Sequence, residues 1–485
     1  MSPSNPLALL TARVCDDLAR VAHPRQPWLE PRIGPDNSPA LDVLVVGGGQ
    51  SGVAVAHGLA RAQVTNVLVV DRAERGREGP WVTYARMPNL RSPKEFTGPD
   101  LGLPSLTYQA WHEATYGIAH WHALGLIGRE DWAAYLAWVR DTVGVKLRHE
   151  SELVGLEPAS PDLVAARFAD GNVLHARRVV LATGQDGGGV WWMPPFVASL
   201  PPHMRAHSAD DVDFSALRGR RVAVLGAGAS AFDNAAMALE ARAADVALFC
   251  RRAAPQLVQP YRWVNFAGFL RHLSDLDDPW RWRFMRHILE LREGFPQPTY
   301  DRCAAHANFR LLTRAAWTAA RVVGDAVEID TQAGSFIADF LICGTGVEMD
   351  FAQRPELADI ADQIATWSDR YEPPPGEGSP RLGRFPYLAR DYSLVPRAPG
   401  HADWISRIHL FNIAATMSFG PSGSSINAMT TAVPKLVDGI TRALFQGDLD
   451  RHWRDLQAYN VPQAVLRGQH AAPPAGTDWA AARPA

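Results

Sequence analysis

Cysteine is scarce: four in 485 residues, at Cys15, Cys250, Cys303 and Cys343, with no two in a C-x-x-C pair. That spacing argues against a disulfide framework, a cysteine-built zinc site and a dithiol redox centre. The histidines bring no accompanying Cys or carboxylate pattern, so no metal is expected. No apolar run reaches the roughly 18 residues that a membrane span needs. The start, MSPSNPLALLTARVCDD, lacks a basic stretch leading into a long apolar one, so it does not read as a signal peptide. A cytoplasmic address follows by default, with no membrane partner. The net charge of −3 gives no reason to expect nucleic acid.

What is present is an ordinary globular composition, 47% hydrophobic and 20% charged, on a chain long enough for two to three domains. Residues 1–40 form a polar N-terminal extension with one short helix and no chemistry. LDVLVV then reads as a buried parallel strand, followed by a Gly-rich turn, an amphipathic stretch and the strand NVLVV: a βαβ unit. Residues 105–145 read as helical, with two weak strands near 152–155 and 164–168. Pro194, Pro195, Pro201 and Pro202 mark a linker. A second strand–turn–helix–strand unit runs from Arg221 to Cys250, and residues 259–320 read as aromatic, Arg-rich and helical. DFLICGTG at 339–346 reads as a further buried strand. Residues 407–445 hold a strand, a Gly/Ser turn and a long helix, and the Ala/Pro-rich tail beyond about 468 is expected to be disordered.

Gly47, Gly49 and Gly52 form G-x-G-x-x-G directly between strand and helix, with Gln50 and Ser51 opening the helix. The first Gly permits the turn, the second lets backbone approach a pyrophosphate, and the third lets the helix pack on the strand. The helix N-terminus offers unpaired N–H groups to the anion. Asp71, followed by Arg72, ends the next strand 19 residues beyond Gly52, where an acid accepts from ribose hydroxyls. FAD and NAD both satisfy such a site.

Gly226, Gly228 and Ala231 repeat the pattern as G-x-G-x-x-A, with Ser230 in the turn. Here the second strand ends in Arg251 and Arg252, with no acid; Arg251 lies 20 residues past Ala231. Guanidinium groups at that point suit the 2′-phosphate of NADPH. The two sites thus differ in the sign of charge at corresponding positions, and the chain is expected to bind FAD at the first and NADPH at the second.

At this point the chain resembles the flavin-containing monooxygenase group over about residues 41–440. EGPW, from Glu78 to Trp81, stands where such enzymes often carry Gly-Gly-x-Trp, and MPNLRSPKEFTGPDLGLP (87–104) where they line the flavin. LATG, with Thr183 and Gly184, and LICGTG, ending at Gly346, resemble the turns at which the chain crosses between domains; His207-Ser208 resembles the linker before the second unit. The linker fingerprint of Baeyer–Villiger enzymes is not intact, since Phe196 and His207 stand at the wrong spacing. RSPKEFTGPDLGLPSLTYQAW is most similar to bacterial enzymes of the FAD-dependent urate hydroxylase type.

The resemblance implies an α/β fold with two Rossmann-like dinucleotide-binding domains, the NADPH domain inserted into the FAD domain. The expected boundaries are 41–205 and 336–450 for the FAD domain, 206–335 for the NADPH domain and 451–485 for a C-terminal tail. Hydride would pass from NADPH to the flavin, and the reduced ring would react with oxygen to give a C4a-peroxide adduct that hydroxylates a small molecule, a purine-like heterocycle or a nitrogen centre. Arg91 and Lys94 are candidates for the flavin's edge, where a cation stabilises charge on the reduced ring. Segment 418–427, with Ser418 and Gly420, is a candidate for aiming a helix N-terminus at the flavin, an ordinary helix cap being the alternative. Tyr261, Trp263, Trp280, Trp282, His287 and His306 either cover the substrate or pack the core. An NADPH oxidase or reductase without oxygen insertion, and a nucleotide-binding sensor, remain as alternative functions. A homodimer is the assembly left open.

Overall fold

Two sheets organise the chain, the first mixed and the second parallel, each built on one of the glycine turns. The computed structural model describes residues 5–421, 423 and 425–464, in two compact units, Met1–Thr441 and Arg442–Ala485. In the first sheet the strand Pro39–Val46 pairs in parallel with Val67–Val70 on one side and Val173–Leu181 on the other. Val43, Leu44 and Val45 are wholly buried, as a strand covered on both faces requires. An antiparallel meander, Leu153–Ser160, Leu163–Phe168 and Val173–Leu181, extends this sheet, and Ile408–Leu410 returns late in the chain to pair with Val179–Leu181. The two weak strands expected near 152–168 are therefore real, with a third continuing from them.

The second sheet is wholly parallel, in the order Phe309–Thr313, Asp245–Cys250, Arg221–Leu225, Phe340–Cys343, Arg205–His207. Two expectations change here. Phe340–Cys343 pairs with Val222–Leu225 and so belongs to the second sheet, which moves the boundary expected at 335/336 beyond residue 343. Phe309–Thr313, read as part of a helical segment, is an edge strand on Val246–Cys250, and residues 317–338 form a three-stranded antiparallel sheet. Exposed edge strands with interspersed Arg and Thr lack the apolar run that marks a central strand. The two chain crossings pair with each other, Gly189–Trp191 running antiparallel to Val347–Met349.

The N-terminal extension is more than a lead. Pro6–Val21 is a 16-residue helix capped by Asn5, and Val14 is fully buried in the same apolar cluster as Trp111 and Tyr108. In the second unit, Leu449–Ala458 is a helix. The tail expected to be disordered, beyond about 468, lies outside the described residues. No helix among the described residues is long and apolar enough to cross a membrane.

Candidate active site

The first glycine turn opens onto a cavity of about 1530 Å³. Gly47 has φ +108°, and a Cβ there would stand 2.4 Å from the Ala182 carbonyl oxygen, so the strand end carrying Thr183 can approach only glycine. At Gly52 a Cβ would meet the Gly47 carbonyl at 1.8 Å, the close helix–strand packing read from the sequence. Helix Gln50–Arg61 begins with Gly49 as N-cap and no side-chain cap, leaving its first N–H groups for an anion. Gly47, Gly49, Gln50, Ser51, Asp71, Arg72, Trp81, Thr183 and Gly184 all line the cavity.

Asp71 is nearly buried; its two oxygens accept from the backbone N–H of Gly48 (2.6 Å) and Ala73 (2.8 Å). It therefore fixes the turn as well as facing the cavity, and a carboxylate oxygen retains a lone pair for a ribose hydroxyl. The indole Nε1 of Trp81 is buried without a protein partner. Glu78 accepts from Arg140 (2.9 Å) and lies 2.5 Å from His149 Nε2, a buried cluster that holds the Glu78–Trp81 turn. An uncapped helix, a glycine cradle and an unpartnered donor fit a dinucleotide with a pyrophosphate and a polar ring.

The second turn repeats the geometry. Gly226 has φ +118° and a Cβ would stand 2.4 Å from the Gly344 carbonyl; helix Ala229–Glu240 begins at Gly228 without a side-chain cap. Gly226, Gly228, Ser230 and Ala231 are not brought into the large cavity. At the end of strand Asp245–Cys250, Arg251 is exposed, whereas Arg252 donates to the carbonyls of Leu291 and Glu290, both at 3.1 Å. Burial, with Arg381, Arg251 and Arg252 nearby, lowers the Arg292 guanidinium to about 10. Four arginines thus gather where the sequence offered two, and only the fold brings Arg292 and Arg381 to this end.

A family model described as FAD-NAD(P)-binding matches residues 44–186, and one described as L-lysine 6-monooxygenase/L-ornithine 5-monooxygenase matches residues 118–265. The FAD-dependent urate hydroxylase of Xanthomonas campestris pv. campestris is 40% identical over 466 residues, 96% of this chain and 98% of that protein. This chain belongs to the same flavin-dependent monooxygenase family. Its fold matches solved structures of an ornithine N-hydroxylase from Kutzneria sp. 744 (TM-score 0.64, 18% identity, 84% of this chain and 100% of that one) and of L-lysine 6-monooxygenase from Pseudomonas syringae (0.64, 17%, 83% and 99%). It is an oxidoreductase using FAD and NADPH to hydroxylate a small molecule with oxygen.

In this monooxygenase the cavity is lined by residues of 87–96 and by two later stretches, 257–265 and 293–302. Arg91 lines it and holds Asp233 of the second dinucleotide helix at 2.5 Å. Lys94 also lines it, but donates to the carbonyls of Trp121 and Leu124, both at 2.7 Å, and lies over the Trp121 ring. That makes it a strut between the cavity wall and the helical layer.

Three of the candidate residues stand away from the cavity lining. Ser418 is completely buried and bonded to Trp367 Nε1 and Leu388 N, and Gly420 packs against Leu273 and Phe269; neither meets the cavity. The lining residues of that stretch are Pro421, Ser425, Ile426 and Asn427, while Ser422 and Ser424 lie outside the described residues. Gly346 sits in the crossing, its carbonyl accepting from Trp192 N, and is likewise away from the cavity. Of the aromatic candidates only Tyr261 lines it; Trp282 packs on Trp367 and Tyr371, and Trp263 and Trp280 are exposed. Sequence reading missed Asp186, placed between Arg354 (3.1 Å) and Arg72 (3.6 Å), and Glu293. Neither sits in a motif.

Proposed function

We propose that this monooxygenase hydroxylates a planar, nitrogen-rich ring, with urate as the first compound to test. The observation that carries the reading is the 40% identity, spread over nearly both full chains, with a urate hydroxylase. The cavity wall agrees with it: Arg91, Gln259, Asn265, Glu293 and Gln297 present donors and acceptors, while Met87, Leu90 and Phe96 supply apolar surface. In this reading the Gly47–Gly52 turn holds the FAD pyrophosphate, Asp71 the ribose, and Trp81, Thr183 and Gly184 the walls. Gly226–Ala231 holds the NADPH pyrophosphate, and Arg251 takes the 2′-phosphate. The flavin supplies hydride acceptance and oxygen activation; the protein orients the two nucleotides and the substrate and keeps bulk water from the reacting ring.

A second reading, N-hydroxylation of an amino-acid side chain, is supported by the lysine/ornithine monooxygenase match at 118–265. The test is NADPH-dependent oxygen uptake by the FAD-loaded protein with urate, L-ornithine or L-lysine, with the products identified by mass. Uptake and an oxygenated product with urate support the first reading; product only with an amine overturns it.

A further inference from the structure

We propose that Glu293 and Arg91 form an acceptor–donor pair that selects a substrate carrying a ring N–H beside a carbonyl. This rests on the heterocycle reading above and assigns its recognition to two side chains that both line the cavity.

Glu293 is placed there by the backbone. Helix Asp278–Leu291 ends at Arg292, whose φ of +70° turns the chain back. The next residue but one, Gly294, passes so close to the neighbouring segment that a Cβ would lie 2.8 Å from the Leu257 carbonyl. Gln259, on that segment, donates to the Gly294 carbonyl (3.4 Å) and accepts from Tyr261 N (3.2 Å), which ties the two cavity-lining strips together. Glu293 therefore stands beside these two strips with its side chain open to the cavity. Burial pushes its carboxyl up, against the opposing pull of Arg91 and a hydrogen bond from Gln259. A carboxylate in that position gains from a further donor.

Arg91 lines the same cavity from the segment 87–96. One of its N–H groups is used by Asp233 at 2.5 Å, and Thr299 (3.2 Å) and Arg302 (3.5 Å) serve the other Asp233 oxygen. The guanidinium carries five N–H donors in a fixed plane, so the Asp233 contact orients it and leaves donors for the cavity. A guanidinium and a carboxylate that line one cavity, close enough for Arg91 to pull on the Glu293 carboxyl, can meet a carbonyl and the N–H next to it, the repeating unit of cyclic amides and ureides. An aliphatic ammonium could take the Glu293 carboxylate but would meet the guanidinium as a like charge.

The test uses the FAD-loaded protein titrated with urate and with its singly N-methylated derivatives, read by tryptophan fluorescence or by flavin absorbance. Methylating the nitrogen that faces Glu293 is expected to weaken binding by about 10- to 100-fold, the loss of a hydrogen bond to a charged group. Glu293→Leu, checked for its FAD content, is expected to bind urate more weakly by a similar factor and to lose the discrimination between methylated and parent ring. Persistent discrimination in Glu293→Leu overturns the assignment to Glu293 and leaves the heterocycle reading standing. Equal wild-type affinities across the methylated series overturn it without any variant. If wild-type protein binds neither urate nor its derivatives, the heterocycle reading and this inference fall together.

Discussion

The Arg91 guanidinium stands 2.5 Å from the Asp233 carboxylate, joining a cavity-lining segment of the first domain to the dinucleotide helix of the second. Asp233 is almost wholly buried, and desolvation raises its carboxyl despite the opposing pull of Arg91 and Arg302. Removing Arg91 leaves that carboxylate with weaker compensation. Arg91→Ala is expected to destabilise the protein by about 1–3 kcal/mol at neutral pH, less than a fully buried pair because Arg91 is partly exposed. The sign with pH follows from linkage. A carboxyl raised in the folded state favours folding below its unfolded value, and that favour is lost as pH rises through the folded one. Loss of Arg91 raises it further, so the Tm deficit of the variant should shrink as pH falls from 7 towards the acid range. A deficit that does not change with pH would contradict this.

At the second nucleotide turn, the arginines are not equivalent. Arg251 is exposed at the strand end, whereas Arg252 is engaged by the carbonyls of Glu290 and Leu291. Arg251→Ala is expected to raise KM for NADPH by about 10- to 100-fold and leave that for NADH nearly unchanged. Arg252→Ala is expected to lower Tm more than it alters the NADPH/NADH ratio. Steady-state kinetics with both nucleotides checks the pair.

Gly52→Ala tests the first turn. Its Cβ would lie 1.8 Å from the Gly47 carbonyl, so the helix must move off the strand. The shift costs about 1–3 kcal/mol or more and displaces the N–H groups facing the cavity. The purified variant is expected to carry little FAD, measured by absorbance relative to protein.

Ser418→Ala separates two accounts of one segment. Ser418 bonds Trp367 and Leu388 inside the core. The substitution is expected to lower stability by about 1–2 kcal/mol while the rate of flavin reduction by NADPH stays within twofold. A large fall in that rate at unchanged stability would restore Ser418 to the active site.

These cases show where sequence reading succeeds and where it stops. Gly47, Gly52 and Asp71 are legible because local backbone geometry dictates both residue type and spacing. The opposite charges at Asp71 and Arg251 are legible for the same reason, each being fixed by its own strand end. Ser418 is ambiguous in the sequence because a Ser/Gly-rich stretch before a helix has the composition of a cap whether it faces a ligand or the core. Phe309–Thr313 was missed because an edge strand with one Arg and one Thr shows no strong period. Glu293, Arg292 and Asp186 gain their positions from contacts across tens to hundreds of residues, as Asp186 does with Arg354. No local pattern encodes those.

The central claim is that two different nucleotides, held on one chain, deliver oxygen to a small molecule. The direct measurement loads the purified protein with FAD, reduces it anaerobically with NADPH, and admits ¹⁸O₂ together with urate. The account predicts flavin bleaching by NADPH, then one ¹⁸O in the product for each NADPH consumed. Reduction followed by stoichiometric hydrogen peroxide and no labelled product, with urate and with the amino-acid substrates alike, would contradict it.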